Sequence, residues 1–236
     1  MSDAKEWALR MKEKGYSFIT ISNHKRSLKA AFYSAIQDDC IRKNPFDFHI
    51  NTVIEDDTEP KIPLSPTQED SLLAFVKSDK VYYKYYDELI ILLGTGLRIS
   101  EFCGLTDRDI GFENRTINID HQLQYSGKKS YRIETPKTDN GIRKIPMSDR
   151  VLEALQRVLQ NRKNSNFTVD GYTGFLFLTS NGTPKVCNGY VIMFSRLVEK
   201  YNQNHGEALP VVTTPHTLRH TFCTNMANAG MNPKAL

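Results

Sequence analysis

A histidine and an arginine spaced three residues apart open a predicted helix near the end of the chain. His216 and Arg219 follow Thr214-Pro215, and a proline favours the first position of a helix. Residues three apart share a helix face, and the first helical turn offers unpaired N–H groups and the positive end of the dipole. Such a set could bind a phosphate group. Alone, the pattern is more typical of the surface of an amphipathic helix.

An arginine with a glutamate three residues later forms a second candidate. Arg98 follows the glycine break Gly94-Thr95-Gly96 between two apolar segments, so it begins close to the predicted core. An unpaired buried charge is costly, and Glu101 could pair with the guanidinium and orient it. The spacing therefore predicts an Arg98–Glu101 ion pair, which by itself would be structural.

A lysine beside a predicted turn forms the third candidate. Residues 131–137 and 142–147 have strand character and flank Asp139-Asn140-Gly141, which is typical of a hairpin turn. Lys137 in that hairpin could reach into a groove and protonate a leaving oxygen. A solvated hairpin lysine would explain the same pattern.

The elements that must position these residues fall into two predicted units. Residues 1–54 show helical periodicity and no strand signal, residues 55–62 form an acidic, proline-containing linker, and residues 63–236 alternate helices with a few short strands. Within the last range, residues 175–178 are predicted as a short strand, and Asn232-Pro233 as the start of another helix. The sequence predicts a mainly α protein with a small antiparallel β-sheet.

The charge of the chain suggests nucleic-acid binding in two stretches only, and not through its net value. The chain of 236 residues has a net charge of +4 and a pI near 8.8, which is a mild bias. Residues 12–43 and 128–150 each contain seven Lys or Arg against three acids. Two basic stretches fit a protein that holds DNA in two places, although two solvated surfaces would look the same.

Other classes of protein find little support. The four cysteines form no C-x-x-C pair and no finger-type metal pattern, which favours reduced thiols. The longest apolar run, residues 89–93, is far too short to span a bilayer, and no signal peptide is recognisable. We expect a cytoplasmic protein without a membrane partner.

Taken together, the three candidates resemble a known catalytic pattern. Gly-x-Arg-x-x-Glu-x-x-x-Leu at 96–105, a later lysine and His-x-x-Arg-His at 216–220 occur in the order found in the tyrosine recombinase (phage integrase) family. Residues 30–35 and 42–46 are similar to the end of that family's core-binding domain. The resemblance covers essentially the whole chain and is greatest to integrases of conjugative transposons. It implies a helical core-binding domain followed by a catalytic domain of the DNA breaking-rejoining fold.

The resemblance implies a role for each matched residue. Arg98 and Arg219 would bind the scissile phosphate, and Lys137 would protonate the 5′ leaving oxygen. His216 would assist proton transfer or bind the phosphate, and Glu101 would orient Arg98 or the histidine. The implied reaction is site-specific recombination through a covalent 3′-phosphotyrosyl intermediate, with no cofactor and no metal.

The resemblance also implies partners. These are double-stranded DNA, further copies of the chain (a dimer to tetramer in synapsis), and accessory bending or excision proteins, in a bacterial cell. The cations that we expect to contact DNA are Lys25, Arg26, Lys29, Arg42, Lys43, Lys128, Lys129, Arg143 and Lys144.

The family's nucleophile has no counterpart in this sequence. All eleven tyrosines lie at or before Tyr201, whereas the family's tyrosine would follow Arg219. We therefore expect a catalytic domain truncated at its C-terminus, a core-binding domain incomplete at its N-terminus, and no cleavage by this chain alone. A non-catalytic DNA-binding protein that occupies recombination sites is the alternative. A type IB topoisomerase-like enzyme would share the phosphate chemistry without pairing two sites.

Overall fold

The computed structural model describes residues 2–58, 62–127, 130–136, 141–206, 208–210 and 213–232. The chain divides into two compact units, residues 1–60 and 61–236, here called the N-terminal and C-terminal units. In the described residues no helix is both long and apolar enough to cross a membrane.

The N-terminal unit is helical, as predicted. It contains α1 (Asp3–Glu13) and α2 (Phe18–Gln37), followed by a short 3₁₀ turn at Ile50–Thr52. Ser17 begins α2 because its hydroxyl accepts the Thr20 N–H at 3.3 Å. A small core gathers Ala8, Phe18, Ile21, Ile50 and Ile54. The apolar face of α2 continues beyond this core through four half-buried residues, Leu28, Phe32, Ala35 and Ile36.

The first half of the C-terminal unit supplies three helices, α3 (Pro66–Ser78), α4 (Tyr86–Thr95) and α5 (Ile99–Gly104). A capping box begins α3, with Ser65 and Gln68 satisfying each other's backbone N–H groups. Residues 89–93 of α4 are all buried, which explains their continuous apolar run. The predicted break is two residues shorter than expected, because Gly94 and Thr95 still belong to α4.

In the part of the chain that the structure describes, five short strands form two antiparallel sheets. The strands β1 (Ile110–Gly111), β2 (Thr116–Ile119) and β5 (Arg143–Pro146) form one sheet in the order β1-β2-β5. The strands β3 (Gln122–Tyr125) and β4 (Tyr131–Glu134) pair with each other in the second sheet. Both sheets are antiparallel, as the predicted fold class requires.

The predicted pairing of residues 131–137 with residues 142–147 is wrong. β4 pairs with β3, and β5 pairs with β2, so the two segments lie in different sheets. The residues of β3 give little strand signal. Its one aliphatic residue, Leu123, is buried and aligned with Ile133, and a glutamine lies on each side of it in the sequence. The predicted turn residues Asp139 and Asn140 lie outside the described residues.

The predicted strand at residues 175–178 is also wrong. Phe175 and Leu178 make isolated bridges to Thr106 and Pro184, and no continuous strand forms there. The segment is apolar because Phe175, Leu176 and Phe177 are buried in the core. A short buried apolar run gives the same sequence signal as a strand.

Three longer helices complete the unit: α6 (Asp149–Asn161), α7 (Cys187–Asn204) and α8 (Pro215–Asn228). Side-chain caps begin α6 and α8, with Ser148 accepting the Val151 N–H and Thr214 accepting the Thr217 N–H. Helix α4 packs against both α6 and α8 at the centre of one continuous core. The predicted helix start at Asn232-Pro233 extends beyond the described residues.

Candidate active site

The turn between α4 and α5 places Arg98. Gly96 ends α4 in the left-handed conformation, with φ at +60°, which a residue with a side chain rarely adopts. Arg98 then precedes the first residue of α5, and its backbone N–H donates to Glu101 Oε2 at 2.9 Å. Its guanidinium donates to Glu101 Oε1 at 2.8 Å and leaves about half of the side chain (54%) exposed. The predicted Arg98–Glu101 pair is therefore present.

Glu101 is shared by a second arginine. Its side chain is only 4% exposed, and Arg143 from β5 donates to both carboxylate oxygens, at 2.7 Å and 3.1 Å. Burial alone would raise the pKa of Glu101, but the hydrogen bonds from Arg143 and Arg98 outweigh it and lower the pKa. The residue is therefore a buried carboxylate that fixes two guanidinium groups.

Helix α8 brings a third arginine to the same place. The half-buried Arg219 donates from Nη1 to the carbonyl oxygen of Gly96, the residue that ends α4. Burial lowers the pKa of Arg219, and the neighbouring charges of Arg98 and Arg143 lower it further. Two guanidinium groups thus bond one carboxylate and a third lies near them, an arrangement with excess positive charge that suits an anion. We call Arg98, Glu101, Arg143 and Arg219 the arginine cluster.

Two contacts hold α8 in this position. Thr221, which is fully buried, accepts the Leu64 N–H with its hydroxyl at 2.9 Å. The ring of Phe222 packs so closely on Gly96 that a β-carbon there would lie 2.3 Å from the ring. Gly96 therefore serves twice, by allowing the turn and by letting α8 approach α4.

His216 lies in the first turn of α8, as predicted. Its side chain is exposed, and its ring is 4.4 Å from that of His220 in an edge-on arrangement. His216 and Arg219 are three residues apart, so they lie on neighbouring positions of one helix face. An exposed imidazole beside a helix N-terminus can meet an incoming phosphate.

Lys137 lies outside the described residues, as do Lys128 and Lys129. The described chain resumes at Gly141, whose carbonyl oxygen accepts a hydrogen bond from Arg143 Nη1 at 3.1 Å. Gly141, the first described residue after Lys137 in the sequence, is thus bonded to a member of the arginine cluster.

Arg143 lies in surroundings that the sequence did not predict. It was expected to contact DNA together with Lys144, yet its guanidinium is committed to Glu101. A signal was available: side chains alternate along β5, and Arg143 and Ile145 share the half-buried side while Lys144 is exposed. An arginine in phase with the apolar residues of a strand points towards a buried partner.

The N-terminal unit carries its cations differently. Lys25, Arg26 and Lys29, here called the basic face, lie on α2, where Lys29 pairs with the exposed Asp47 at 2.6 Å. Lys25 stacks on the ring of Phe48, 4.7 Å from its centre. Arg42 and Lys43 are exposed, as are Arg26 and Asp47. These cations lack a buried carboxylate to fix them.

A group of two acids and a histidine could resemble a metal site. Asp109, Asp120 and His121 bring ligand atoms within 4.8 Å of one another. His121 is buried, however, and its ring nitrogens lie 2.6 Å from Asp120 Oδ1 and 2.8 Å from the carbonyl oxygen of Gly104. A carbonyl oxygen only accepts hydrogen bonds, so Nε2 carries a proton and offers no lone pair. The group fits a hydrogen-bonded core that fastens the end of α5.

Comparisons with known proteins identify the family to which the chain is similar. The Phage integrase family profile matches residues 63–236. The transposase from transposon Tn916 of Enterococcus faecalis is 60% identical over 236 residues, covering all of this chain and 58% of that protein. The chain thus spans a little under three fifths of that relative's length. Matches of lower identity include the tyrosine recombinase XerA of Pyrococcus furiosus, 28% identical over 98% of this chain and 68% of that protein.

Solved structures match as well. The Tn1549 transposon integrase in complex with a circular intermediate DNA is 64% identical with a TM-score of 0.96, over 99% of this chain and 74% of that one. These matches confirm the predicted fold class, mainly helical with small antiparallel sheets. The chain belongs to the phage integrase family, the tyrosine recombinases.

Proposed function

We propose that this chain forms part of a site-specific DNA recombinase that integrates and excises a mobile element. The observation that carries the proposal is the arginine cluster, in which Arg98 and Arg219 come from distant parts of the chain and flank one turn at Gly96. The Tn916 and Tn1549 relatives, described as a transposase and an integrase, support the assignment to a mobile element.

The proposed chemistry begins with a DNA phosphate in the arginine cluster. Arg98 and Arg219 would bind its non-bridging oxygens, where charge builds up as phosphorus becomes pentavalent. Donors that are already oriented stabilise such a state strongly because they need no rearrangement during the reaction. Glu101 keeps Arg98 oriented, and the carbonyl oxygen of Gly96 does the same for Arg219.

Strand cleavage also needs a nucleophile and two proton transfers. In the proposed reaction a tyrosine hydroxyl, supplied by a segment other than this chain, attacks phosphorus and the 5′ oxygen leaves. Lys137 would give that oxygen its proton, and His216 would assist at the nucleophile or bind the phosphate. The new phosphotyrosine bond replaces the broken phosphodiester bond, so religation needs no added energy source and no cofactor.

The proposed partners follow from the same chemistry. Double-stranded DNA is the substrate, and the basic face, with Arg42, Lys43, Lys128, Lys129 and Lys144, would contact its backbone. Strand exchange joins two duplexes, so we propose that several copies assemble on DNA, from a dimer to a tetramer in synapsis. The solved Tn1549 integrase structures with DNA support the substrate class. Accessory bending or excision proteins would complete the assembly, in the cytoplasm of a bacterium.

A suicide substrate tests the proposal. A full-length protein that contains this chain would be incubated with nicked DNA from the ends of its element, and the products would be separated in SDS. We expect a covalent protein–DNA adduct that maps to a tyrosine. Tight binding of the same DNA without any adduct would instead favour a non-catalytic protein that occupies recombination sites.

A further inference from the structure

Arg143 occupies a position that neither phosphate binding nor DNA tracking explains. Its guanidinium makes three hydrogen bonds within the protein, two to Glu101 and one to the carbonyl oxygen of Gly141. Its side chain is 26% exposed, about half the exposure of Arg98 at 54%. A cation that is held by a buried carboxylate has little freedom left to follow a DNA backbone.

The two arginines divide Glu101 between them in unequal ways. Arg98 bonds one oxygen of the carboxylate through a single guanidinium nitrogen and the other through its backbone N–H. Arg143 bonds both oxygens with two nitrogens of its guanidinium, which is the bidentate geometry. Arg143 therefore fixes the plane of the carboxylate, and Arg98 takes its orientation from that plane.

The third hydrogen bond of Arg143 joins two regions of the chain. Gly141 directly follows residues 137–140, which include Lys137, whereas Glu101 lies on α5 beside Arg98. A β-carbon at residue 141 would lie 2.3 Å from the side chain of Pro136, so the backbone is closely packed at this point. Arg143 thus fastens the backbone at Gly141 to Glu101 of α5, the helix that Arg98 directly precedes.

From these contacts we propose that Arg143 is a positioning residue for strand cleavage. It orients Glu101, and through it Arg98, and it ties the backbone at Gly141 to the same carboxylate. This proposal rests on the proposed function, and it replaces the sequence-based expectation that Arg143 contacts DNA. A positioning role predicts that loss of Arg143 lowers the cleavage rate at saturating DNA and leaves DNA affinity nearly unchanged.

The test compares variants of a full-length protein that contains this chain, in single-turnover cleavage of a suicide substrate and in equilibrium binding to uncleaved DNA. Arg143→Ala should lower the saturating cleavage rate about 10- to 100-fold, because small misplacements of catalytic groups are costly. Arg143→Lys keeps the charge but cannot make two parallel bonds, so it should recover little of that rate. The dissociation constant should stay within about threefold at each salt concentration.

Arg157→Ala is the matched control, since Arg157 of α6 also donates through two guanidinium nitrogens to a carboxylate, that of Asp87, and lies outside the arginine cluster and both basic stretches. It should leave the saturating rate unchanged. A double-mutant cycle with Glu101→Gln gives a second readout: the effect of Arg143→Ala should shrink to less than about threefold when the carboxylate is absent, because the two residues act as a unit.

The outcomes separate this inference from the function on which it rests. An unchanged cleavage rate in both Arg143 variants, with Arg98→Ala inactive, overturns the positioning role and leaves the recombinase proposal intact. Weaker binding with a reduced salt dependence and a normal saturating rate would return Arg143 to the DNA-contacting residues. Full cleavage by Arg98→Ala would overturn the recombinase chemistry itself. If Arg143→Ala fails to fold, Arg143→Lys decides by the same criteria.

Discussion

The arginine cluster of the C-terminal unit and the basic face of the N-terminal unit use the same kind of side chain in opposite ways. In the cluster, Arg98 and Arg143 are fixed by Glu101, a carboxylate that is 4% exposed. On the basic face, Lys29 pairs with Asp47, which is 56% exposed. Burying a carboxylate costs free energy that exposed pairs avoid, so a folded chain retains it where orientation matters. The contrast separates cations that a buried carboxylate holds in place, which the proposed function assigns to chemistry, from exposed cations, which it assigns to the attraction of DNA.

Removal of Arg98 should give the largest effect of any change in either region. In a full-length protein that contains this chain, Arg98→Ala should lower the cleavage rate by about 10² to 10³, the usual loss when one preoriented donor is removed. DNA affinity should change by only a few fold, because many other phosphate contacts remain. Cleavage at the normal rate would remove the cluster from the reaction and abolish the contrast.

Loss of the shared carboxylate should be the next largest effect, this time on stability. Glu101→Gln leaves Arg98 and Arg143 without their anion, although both can partly reach water. We expect the free energy of unfolding to fall by about 1–3 kcal/mol, measured by urea denaturation. Glu113→Gln, which changes an exposed glutamate, is the control and should have no measurable effect. Equal stabilities of the two variants would mean that the cluster is no more firmly built than the surface.

The difference in stability between the wild type and Glu101→Gln should depend on pH, and the direction follows from the sign of the pKa shift of Glu101. Hydrogen bonds from Arg143 and Arg98 outweigh the effect of burial and lower the pKa of Glu101 below its ordinary value of 4.5. A lowered carboxyl pKa stabilises the folded state above the unfolded pKa, and the stabilisation is lost as the pH falls through the folded pKa. The stability gap between the wild type and Glu101→Gln should therefore be full above pH 4.5 and shrink below it. A gap that widens in acid would contradict the assignment.

Gly96→Ala should have a smaller effect that reaches both stability and activity. The left-handed conformation costs a residue with a β-carbon about 1–2 kcal/mol, and the ring of Phe222 leaves no room for the added carbon. The carbonyl oxygen that holds Arg219 would shift, so cleavage should slow as well. Gly189→Ala is the comparison, because its site in α7 has open space and an ordinary backbone. Equal unfolding free energies and equal cleavage rates for the two variants would mean that the turn at Gly96 has no special role.

Neutralising the basic face should produce the smallest of these effects at low salt, and the effect should appear in the affinity for DNA. Changing Lys25, Arg26 and Lys29 to glutamine removes up to three phosphate contacts, and each contact contributes about 0.9 to the slope of log affinity against log salt. Affinity titrations over a range of salt concentrations would measure the slope, with Lys80→Gln as an exposed lysine outside both basic stretches. An unaltered slope would move the DNA contact to another surface.

The sequence predicted those parts of the site that depend on neighbouring residues. The Arg98–Glu101 pair, the start of α8 and the shared face of His216 and Arg219 all depend on helix spacing, which is local. The caps at Ser65 and Ser148 follow from the same kind of short-range hydrogen bond. Local geometry is repeated in every helix, so residue types and spacing are enough to predict it.

The parts that the sequence did not predict depend on long-range contacts. Arg143 is 42 residues from Glu101, and Arg219 is 123 residues from Gly96. β4 pairs with β3, whereas β5 joins β2 in the other sheet. The surroundings of Arg143 on β5 therefore differ from those that the predicted hairpin implied. Strand pairing depends on packing against the rest of the core, and a short polar strand such as β3 carries little trace of it in its own residues.

The most direct test of the contrast measures saturating cleavage rate and DNA dissociation constant side by side for two variants of one full-length protein. Arg98→Ala represents the arginine cluster, and the triple glutamine variant represents the basic face. We predict that the first loses rate by about 10² to 10³ and keeps its affinity, while the second loses affinity and keeps its saturating rate. If both variants lost affinity alone, or both lost rate alone, the division between a chemical site and an electrostatic surface would be contradicted.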